Sequence, residues 1–242
     1  MKVTDKIEIT NEDNIELMAR YEDNYFDLAI VDPPYGIDVI DKVYKGRSNY
    51  TTYKGNGVQK KGNFKSKDWD KKTPTIEYFK ELERVSKNQI IWGANNFTDK
   101  IKPSSSWIFW DKVTGNNDFS DGEFAYCSKG GKSRKFTFVW NGMLQGKSIL
   151  EGETVQGNKR LCEKKIHPTQ KPVKLYEWLL DNYAKEGDKI LDTHLGSGSI
   201  AIACHNLGYD LTACELDKDY YDAAIKRIKN HTAQQTIFDL GA

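Results

Sequence analysis

The sequence lacks the features that mark secreted, membrane-spanning and zinc-binding proteins. Its 242 residues include only four cysteines, and none of these forms a CxxC pair or has a histidine at ligand spacing. We therefore expect neither disulfides nor a metal site. No apolar run follows the first residues, and no uncharged stretch is long enough to cross a bilayer. These absences predict a soluble, cytoplasmic protein with one domain, residues 1–242, and no membrane partner.

The net charge of +1 hides an uneven distribution of basic residues. Between Lys42 and Lys72, ten Lys and Arg residues stand against two acids, with Tyr, Phe and Trp interspersed. Such a segment is typical of loops that contact phosphates and bases, although a solvated surface loop has the same composition. A second basic patch begins at Lys129 and precedes Trp140. The candidate DNA contacts in the two segments are Lys45, Arg47, Lys54, Lys60, Lys61, Lys132, Arg134 and Lys135.

Apolar runs alternate with amphipathic segments along the chain, which predicts an α/β fold with a doubly wound, mostly parallel sheet. The pattern predicts strands at 6–10, 26–31, 89–92, 107–110, 136–140, 189–193 and 211–215. It predicts helices at 13–21, 75–86, 173–184, 199–207 and 218–230, followed by a tail at 231–242.

The tetrapeptide Asp32-Pro33-Pro34-Tyr35 directly follows the second predicted strand. Proline fixes its own backbone angle and lacks an N–H, so two consecutive prolines end the strand in a rigid turn. The turn presents a carboxylate and an aromatic ring at the carboxyl end of a parallel strand, which is where open α/β sheets bind ligands. This combination suits chemistry on a nucleobase.

A glycine-rich turn follows the predicted strand 189–193. Gly196-Ser197-Gly198-Ser199 leads into an apolar helix, and the next strand ends at Glu215. Strand, glycine turn, helix, strand and acid together are typical of a nucleotide-binding unit, in which a terminal carboxylate accepts hydrogen bonds from ribose hydroxyls. The third glycine of the dinucleotide fingerprint is missing, which favours a smaller nucleoside such as S-adenosylmethionine over a pyrophosphate ligand.

Together with the segment His167-Pro168-Thr169-Gln170-Lys171-Pro172, these motifs resemble those of DNA amino-methyltransferases of the permuted (beta) class, adenine-specific type. The resemblance covers roughly residues 6–36 and 166–230. It implies a Rossmann-like methyltransferase fold with a circularly permuted motif order and inserted DNA-recognition loops. It also implies that Asp32 and the Pro33 carbonyl accept hydrogen bonds from the exocyclic amine of a flipped-out base, within a turn shaped by Pro34, while Tyr35 stacks on the base.

For the cofactor, S-adenosyl-L-methionine, the resemblance assigns Asp192 to the methionine end and Glu215 to the ribose. Asp13 aligns with an acid that reads the adenine amine of the cofactor. His194 stands where the family usually has Phe, which bears on cofactor geometry. The remaining implied cofactor residues are His167, Thr169, Lys171, Gly196, Ser197, Gly198 and Ser199.

Asp at the start of the tetrapeptide follows the family trend for adenine, whereas Ser is usual for the amine of cytosine. The resemblance therefore implies adenine methylation of double-stranded DNA, as in restriction-modification systems, with the target read by loops within 37–72 and 129–165. The alternative target is the exocyclic amine of cytosine. RNA or protein methylation is less favoured, because methyltransferases of those families usually place the glycine motif before the catalytic tetrapeptide. A catalytically silent DNA-binding protein would be expected to lose Asp32, Tyr35 or the glycines.

Two partner hypotheses remain. Gln234-Gln235-Thr236-Ile237-Phe238 resembles the short Gln-x-x-Leu-Phe peptides that dock on the bacterial sliding clamp, although five-residue patterns arise by chance and a tail can simply pack on its own domain. Permuted-class relatives are often homodimers, but no apolar stripe in the sequence demonstrates one.

Overall fold

The computed structural model describes residues 1–37, 71–113, 120–141, 144–146, 154–156 and 162–239. Within these ranges the strands are β1 (Ile7–Thr10), β2 (Leu28–Val31), β3 (Gln89–Trp92), β4 (Trp107–Asp111), β5 (Gly122–Cys127), β6 (Arg134–Thr137), β7 (Val139–Asn141), β8 (Leu144–Gly146), β9 (Thr154–Gln156), β10 (Lys189–Asp192) and β11 (Asp210–Cys214). The helices are α1 (Asn14–Met18), α2 (Ile76–Val85), α3 (Val173–Tyr183), α4 (Ser199–Leu207) and α5 (Lys218–Asp239), with a short 3₁₀ turn at Ala94–Asn96.

The main sheet has the strand order β1-β11-β10-β2-β3-β5-β4-β6. The first five strands in that order are mutually parallel, whereas β5 runs antiparallel to both β3 and β4. Strands β4 and β6 are parallel to each other. The last two strands of the chain, β10 and β11, therefore lie between β1 and β2. This topology confirms the predicted α/β fold with a mostly parallel sheet.

Both faces of the sheet are covered by helices. In β2, Leu28 and Ile30 belong to a buried cluster that includes residues of α3, α4 and α5, while Ala29 and Val31 belong to a second cluster with residues of α1 and α2. Alternate side chains of a strand point to opposite faces, so a strand covered on both sides is apolar throughout. The continuous apolar run of β2 thus reflects its central position in a doubly wound sheet.

Three differences from the sequence prediction are instructive. The predicted strand 136–140 is two strands: β6 ends at Thr137 in the main sheet, and β7 begins at Val139 in a separate antiparallel sheet with β8 and β9. Strand β5 was not predicted, because its sequence begins with glycine and an acid and has one exposed phenylalanine, Phe124. Neither β8 nor β9 was predicted, and each has only three residues.

A fourth difference concerns the end of the chain. The sequence predicts that the last helix ends near Asn230, but α5 continues to Asp239. No glycine or proline occurs between Asn230 and Gly241 to stop it. The peptide Gln234–Phe238 therefore lies inside a helix and not in a separate tail. Among the described residues, no helix combines the length and the apolar character needed to traverse a lipid bilayer.

Candidate active site

Two carboxylates lie at the carboxyl ends of neighbouring parallel strands. Strand β2 leads directly into Asp32, and β10 ends at Asp192, with Leu28 of β2 beside Ile190 of β10. The carboxyl edge of a parallel sheet is where side chains from successive strands converge on a ligand. The two motifs recognised at opposite ends of the sequence therefore meet at one edge of the sheet.

The turn after β2 is held by its own side chains. The Tyr35 hydroxyl donates a hydrogen bond of 2.6 Å to Asp32 Oδ1. The ammonium of Lys171 lies 2.5 Å from Asp32 Oδ2 and 3.1 Å from the Tyr35 hydroxyl oxygen. Burial raises the pKa of the Tyr35 hydroxyl well above its usual range, and the negative charges of Asp32 and Glu123 add to this effect. Tyr35 is therefore a neutral hydrogen-bond donor that orients the Asp32 carboxylate.

The Lys171 side chain is only 3% exposed, and it lies with the Asp-Pro-Pro-Tyr turn. Burial alone would lower its pKa, but the carboxylates of Asp32 and Glu123 outweigh burial, so the pKa of Lys171 is raised. The ammonium is therefore charged. The sequence prediction placed Lys171 at the cofactor, and its ion pair with Asp32 was not foreseen.

Glu123 is a second acid behind the turn that the sequence analysis missed. Its Oε2 lies 3.1 Å from Lys171 Nζ, and its other carboxylate oxygen forms an ion pair with Lys112. Burial opposes ionisation of this group, but the charges of Lys171 and Lys112 lower the pKa of Glu123 to about 2. Glu123 stands on the unpredicted strand β5, so no sequence pattern indicated its position beside the turn.

Gly93 was also missed, and it determines where the Tyr35 ring lies. The residue follows β3 with φ of +66°, and a Cβ at this position would lie 2.1 Å from Tyr35 Cε1. Only glycine leaves room for the ring so close to the backbone. Phe97 contacts the same ring at a centroid distance of 6.2 Å. The ring is thus fixed by backbone on one side and an aromatic edge on another.

The glycine turn after β10 has the conformation that its sequence predicts. Gly196 and Gly198 have φ of +53° and +75°, and a Cβ on Gly198 would lie 2.9 Å from Ile228 Cδ1 in α5. Gly198 is thus required both by its left-handed backbone and by the close approach of α5. Ser199 Oγ donates to the Lys171 carbonyl at 2.7 Å, which ties this turn to the His167–Pro172 segment.

Arg227 of α5 fixes the same turn from the other side. Its Nη1 donates to the Ser197 carbonyl at 2.8 Å and to Ser199 Oγ at 3.0 Å, while Nη2 pairs with Glu163 at 2.8 Å. The sequence analysis did not identify Arg227 or Glu163. Because their contacts are tertiary, no local pattern could have indicated them.

Glu215 and Asp13 follow the neighbouring strands β11 and β1 and both line the cavity. Glu215 Oε2 accepts from the Gly196 N–H at 2.8 Å, and Oε1 accepts from the Asp217 N–H at 2.9 Å. Both oxygens of the Glu215 carboxylate therefore hold backbone N–H groups of the loops that border the cavity. Asp13 caps α1, with Oδ1 accepting from the Ile15 N–H at 2.8 Å.

Asp192 is the most strongly perturbed carboxylate at this edge. Its side chain is buried, and Oδ1 accepts from the His194 N–H at 2.9 Å. Burial raises the pKa of Asp192 to about 8, since it outweighs this hydrogen bond and the nearby charges of Asp32 and Glu215 act in the same direction. A buried acid with a pKa near neutrality is a common feature of binding and catalytic sites.

His194 contributes a neutral imidazole to the same wall. Burial lowers the pKa of His194 to about 3. Its Nε2 lies 3.2 Å from the Asn14 amide nitrogen, which can only donate, so Nδ1 carries the ring proton. Nδ1 lies 2.9 Å from Thr193 Oγ1, which in turn contacts the Tyr78 hydroxyl at 2.7 Å. The residue that replaces the usual Phe is thus held in a polar network.

His167 and Thr169 form a compact turn beside the glycine motif. Thr169 Oγ1 lies 3.1 Å from His167 Nδ1, and the imidazole packs on Tyr220 of α5 at a centroid distance of 4.3 Å. The side chain of Gln170 bonds back to the start of the same turn, because its Oε1 accepts a hydrogen bond from the Ile166 N–H at 2.9 Å. These contacts hold the His167–Pro172 segment in place beside the glycine turn.

A cavity of about 780 Å³ joins these groups. Its volume is within the range of small-molecule sites. Asp32 and Pro34 of the Asp-Pro-Pro-Tyr turn line it, and so do Asp13 and Glu215. Of the predicted cofactor residues, the cavity is lined by Asp13, His167, Thr169, Lys171, His194, Gly196, Ser197 and Glu215. The other predicted cofactor residues, Asp192, Gly198 and Ser199, are not part of this lining.

Of the predicted DNA contacts, Arg134 and Lys135 lie in β6, at the end of the main sheet farthest from β1. Arg134 pairs in register with Ile108 of β4, which lies opposite Ala125 of β5, and Ala125 in turn lies opposite Trp92, the last residue of β3. Lys132 lies two residues before Arg134, and its carbonyl oxygen is 3.5 Å from Ser106 Oγ. Lys135 forms an ion pair with Asp111 at 3.2 Å. The other predicted contacts, Lys45, Arg47, Lys54, Lys60 and Lys61, lie outside the described residues, as do most of 37–72 and much of 129–165.

Comparison with known proteins agrees with this geometry. Residues 80–226 match the family N6_N4_Mtase, described as DNA methylase. The Type II methyltransferase M.HinfI of Haemophilus influenzae is 26% identical over 251 residues, covering 90% of this chain and 67% of that protein.

Two solved structures share the fold. The putative DNA modification methylase TTHA0409 of Thermus thermophilus, in complex with S-adenosyl-L-methionine, has a TM-score of 0.53 at 14% identity and covers 93% of this chain and 93% of its own. The PvuII DNA methyltransferase, which is cytosine-N4-specific, has a TM-score of 0.51 at 13% identity and covers 92% of this chain and 90% of its own. At these identities the likeness concerns the fold alone.

Proposed function

This chain belongs to the DNA methylase family, and we propose that it transfers a methyl group from S-adenosyl-L-methionine to the exocyclic amine of a flipped-out adenine in double-stranded DNA. The observation that carries the proposal is the position of Asp32. Its carboxylate is oriented by Tyr35 and Lys171 and faces the same cavity as the glycine turn and Glu215. An amine acceptor and a nucleoside site are therefore adjacent.

The residues around the cavity fit S-adenosyl-L-methionine. The glycine turn allows close backbone approach, and the Glu215 carboxylate lines the cavity where it suits ribose hydroxyls. Asp192, a buried carboxylate, suits the cationic methionine end, and Asp13 suits an adenine amine. We propose that His167, Thr169 and Lys171 border the methionine carboxylate. When bound, this cofactor supplies a methyl group on a positively charged sulfur.

Asp32 makes the amine of the target base reactive. The lone pair of an aromatic amine is delocalised into the ring, and acceptors for its two protons favour a tetrahedral nitrogen whose lone pair is available. Asp32 and the Pro33 carbonyl provide these acceptors. S-adenosyl-L-methionine would supply the methyl group, with its C–S electron pair kept by sulfur, and Asp32 is the carboxylate of the turn that would take the proton the nitrogen then loses.

Tyr35 and Gly93 hold the base. Extruding a base from the duplex costs a few kcal/mol, and stacking on an aromatic ring offsets part of this cost. The backbone of Gly93 lies against the Tyr35 ring and so fixes the position of the ring that would stack on the base. We propose adenine as the base because Asp opens the tetrapeptide. The second candidate is the cytosine amine, since the family name covers both N6 and N4 methylation.

Within the same proposal, the enzyme belongs to the permuted class and acts in the cytoplasm as the methylating half of a restriction-modification system. Clamp docking through Gln234–Phe238 and homodimer formation gain no support from the described part of the chain and stay predictions. The clamp prediction requires that the unmodified protein binds the sliding clamp and that Phe238→Ala abolishes this binding.

The proposed function is tested by mapping modified bases. We expect DNA from methylation-free cells that express this chain to carry N6-methyladenine within one short motif when read by single-molecule sequencing. Cells that express the Asp32→Ala variant provide the control and should show none. Methylated cytosine would change the base but keep the mechanism. If the protein binds the cofactor but the DNA of these cells carries no modified base, the proposal that DNA is the substrate is wrong.

Gly93→Ala should impair base capture more than cofactor binding. The new methyl group would overlap the Tyr35 ring, which must move, so we expect at least a tenfold lower methyl-transfer rate at limiting DNA. Cofactor affinity, measured by calorimetry, should change little, because Gly93 does not line the cavity. Gly187→Ala is the matched control: Gly187 has φ of +84°, with no atom within 4 Å of its Cβ position. Equal losses in the two variants would assign the effect to backbone strain.

A further inference from the structure

Four charged side chains alternate in sign behind the catalytic turn. Lys112 pairs with Glu123, Glu123 lies 3.1 Å from Lys171, and Lys171 lies 2.5 Å from Asp32. We call these four residues the charge chain. Lys112 and Glu123 are 20% and 25% exposed, Asp32 is 18% exposed, and Lys171 is only 3% exposed. Asp32 and Lys171 line the cavity, whereas Glu123 and Lys112 do not.

The order of the charges determines the net charge that surrounds a substrate at Asp32. An Asp32–Lys171 pair alone would be neutral, and its carboxylate would do little for a cation. Glu123 restores a net negative charge to the group of three, because it compensates the buried ammonium. Lys112 stands at the far end of the charge chain, where it is separated from Asp32 by the other two residues. The negative end of the charge chain therefore faces the cavity.

Methyl transfer, the function proposed above on which this inference rests, places a positive charge at this point. As the methyl group moves to the amine, the nitrogen becomes cationic until it loses a proton. Preorganised charge directed at a developing ion is among the strongest catalytic effects in a buried site. We propose that Glu123 is a positioning residue for methyl transfer, which neutralises Lys171 so that the Asp32 carboxylate acts on the amine as an uncompensated anion.

The charge chain also offers a matched pair of variants with opposite electrostatic effects. Glu123→Gln and Lys112→Met each break the Lys112–Glu123 ion pair with a side chain of similar size, and Glu123→Gln also removes the Glu123–Lys171 pair. Glu123→Gln leaves two cations and one anion near the amine, whereas Lys112→Met leaves two anions and one cation. A structural role for the ion pair predicts similar losses in both. The electrostatic role predicts a loss only in the first.

The test is a single-turnover assay with radiolabelled S-adenosyl-L-methionine at saturation and DNA from methylation-free cells. We expect Glu123→Gln to lower the rate at least tenfold, with the dissociation constant for the cofactor changed less than threefold. We expect Lys112→Met to keep at least a third of the unmodified rate, and Glu123→Asp to recover part of the loss of Glu123→Gln. Thermal melting of each variant confirms that it is folded.

Two outcomes would overturn the inference: an unchanged rate for Glu123→Gln, or equal losses in folded Glu123→Gln and Lys112→Met. Inactivity of the unmodified protein on every DNA tested would instead reject the proposed function. The experiment therefore separates the two failures.

Discussion

Asp32→Asn should bind the cofactor as the unmodified protein does and lose about a hundredfold to a thousandfold in the rate of methyl transfer. The side chain keeps its size, so the loss reports charge and acceptor capacity. In the protein, Asp32 Oδ1 accepts from the Tyr35 hydroxyl and Oδ2 accepts from Lys171. In the variant, the amide oxygen can still accept from Lys171, but the amide nitrogen cannot accept from the amine of a base.

The surroundings should tolerate this change better than the loss of most buried acids. Removing one partner of a buried ion pair normally leaves an uncompensated charge and is strongly destabilising. Here Lys171 keeps Glu123 as a second counter-ion at 3.1 Å. The variant should therefore stay folded, and its activity can be measured in a single-turnover assay at saturating cofactor.

Asp27→Asn is the matched control, because Asp27 stands just before the same strand that Asp32 follows. Its carboxylate pairs with Lys87 at 2.6 Å and accepts from the Lys189 N–H at 2.9 Å, at the amino end of β2. We expect this variant to keep the full methyl-transfer rate. A full rate for Asp32→Asn as well would show that the amine is activated elsewhere.

The two ends of the site differ in how well the sequence foretold them. The Asp32–Tyr35 turn and the Gly196–Gly198 turn were predictable because each combines backbone restriction with a position directly after an apolar strand. The α4 helix was predicted with its observed bounds for the same reason, since glycines flank it on both sides. Local chemistry determines such features.

The groups that tune the site were not predictable. Glu123 lies on a strand with no clear pattern, and it reaches Lys171 only because β5 is inserted antiparallel between β3 and β4. The role of Gly93 depends on a ring 58 residues earlier in the chain, and Arg227 acts on a turn near Ser197 from another helix. These contacts are set by tertiary packing, and a single sequence carries no local signal for them.

Asp192→Asn should remove a pH dependence from both stability and cofactor binding. Burial raises the pKa of Asp192 to about 8 from an ordinary value of 3.8. Between these two values the folded protein therefore holds a proton that the unfolded chain has released. Since stability falls with rising pH wherever the folded state binds more protons, this group destabilises the fold progressively from about pH 4 to about pH 8.

The size of the effect follows from the same linkage. A fully coupled group changes the free energy of unfolding by at most about 1.4 kcal/mol per pH unit. We expect urea denaturation without cofactor to show a difference between Asp192→Asn and the unmodified protein that grows in favour of the variant from pH 5 to pH 8. Comparing the two proteins cancels the titration of all other groups. A difference independent of pH would contradict a raised pKa at Asp192.

Cofactor binding should respond in the opposite sense. If the cationic methionine end of S-adenosyl-L-methionine lies at Asp192, it favours the ionised carboxylate, so binding below about pH 8 releases a proton. The affinity of the unmodified protein should then rise with pH between 6 and 7.5, by up to about tenfold per unit. The asparagine variant should bind at least tenfold more weakly at pH 7.5 and show little dependence on pH.

Calorimetry in two buffers of different ionisation enthalpy measures the released proton directly. A proton released by the unmodified protein and not by Asp192→Asn would establish that Asp192 ionises when the cofactor binds. Proton release that persists in the variant would assign it to another group, of which Glu163 is the alternative, because burial raises its pKa as well. A buried acid that is neutral in the free protein and charged in the complex would connect the stability of this fold to its cofactor: the group that weakens the empty protein at neutral pH is the one that binds the cation.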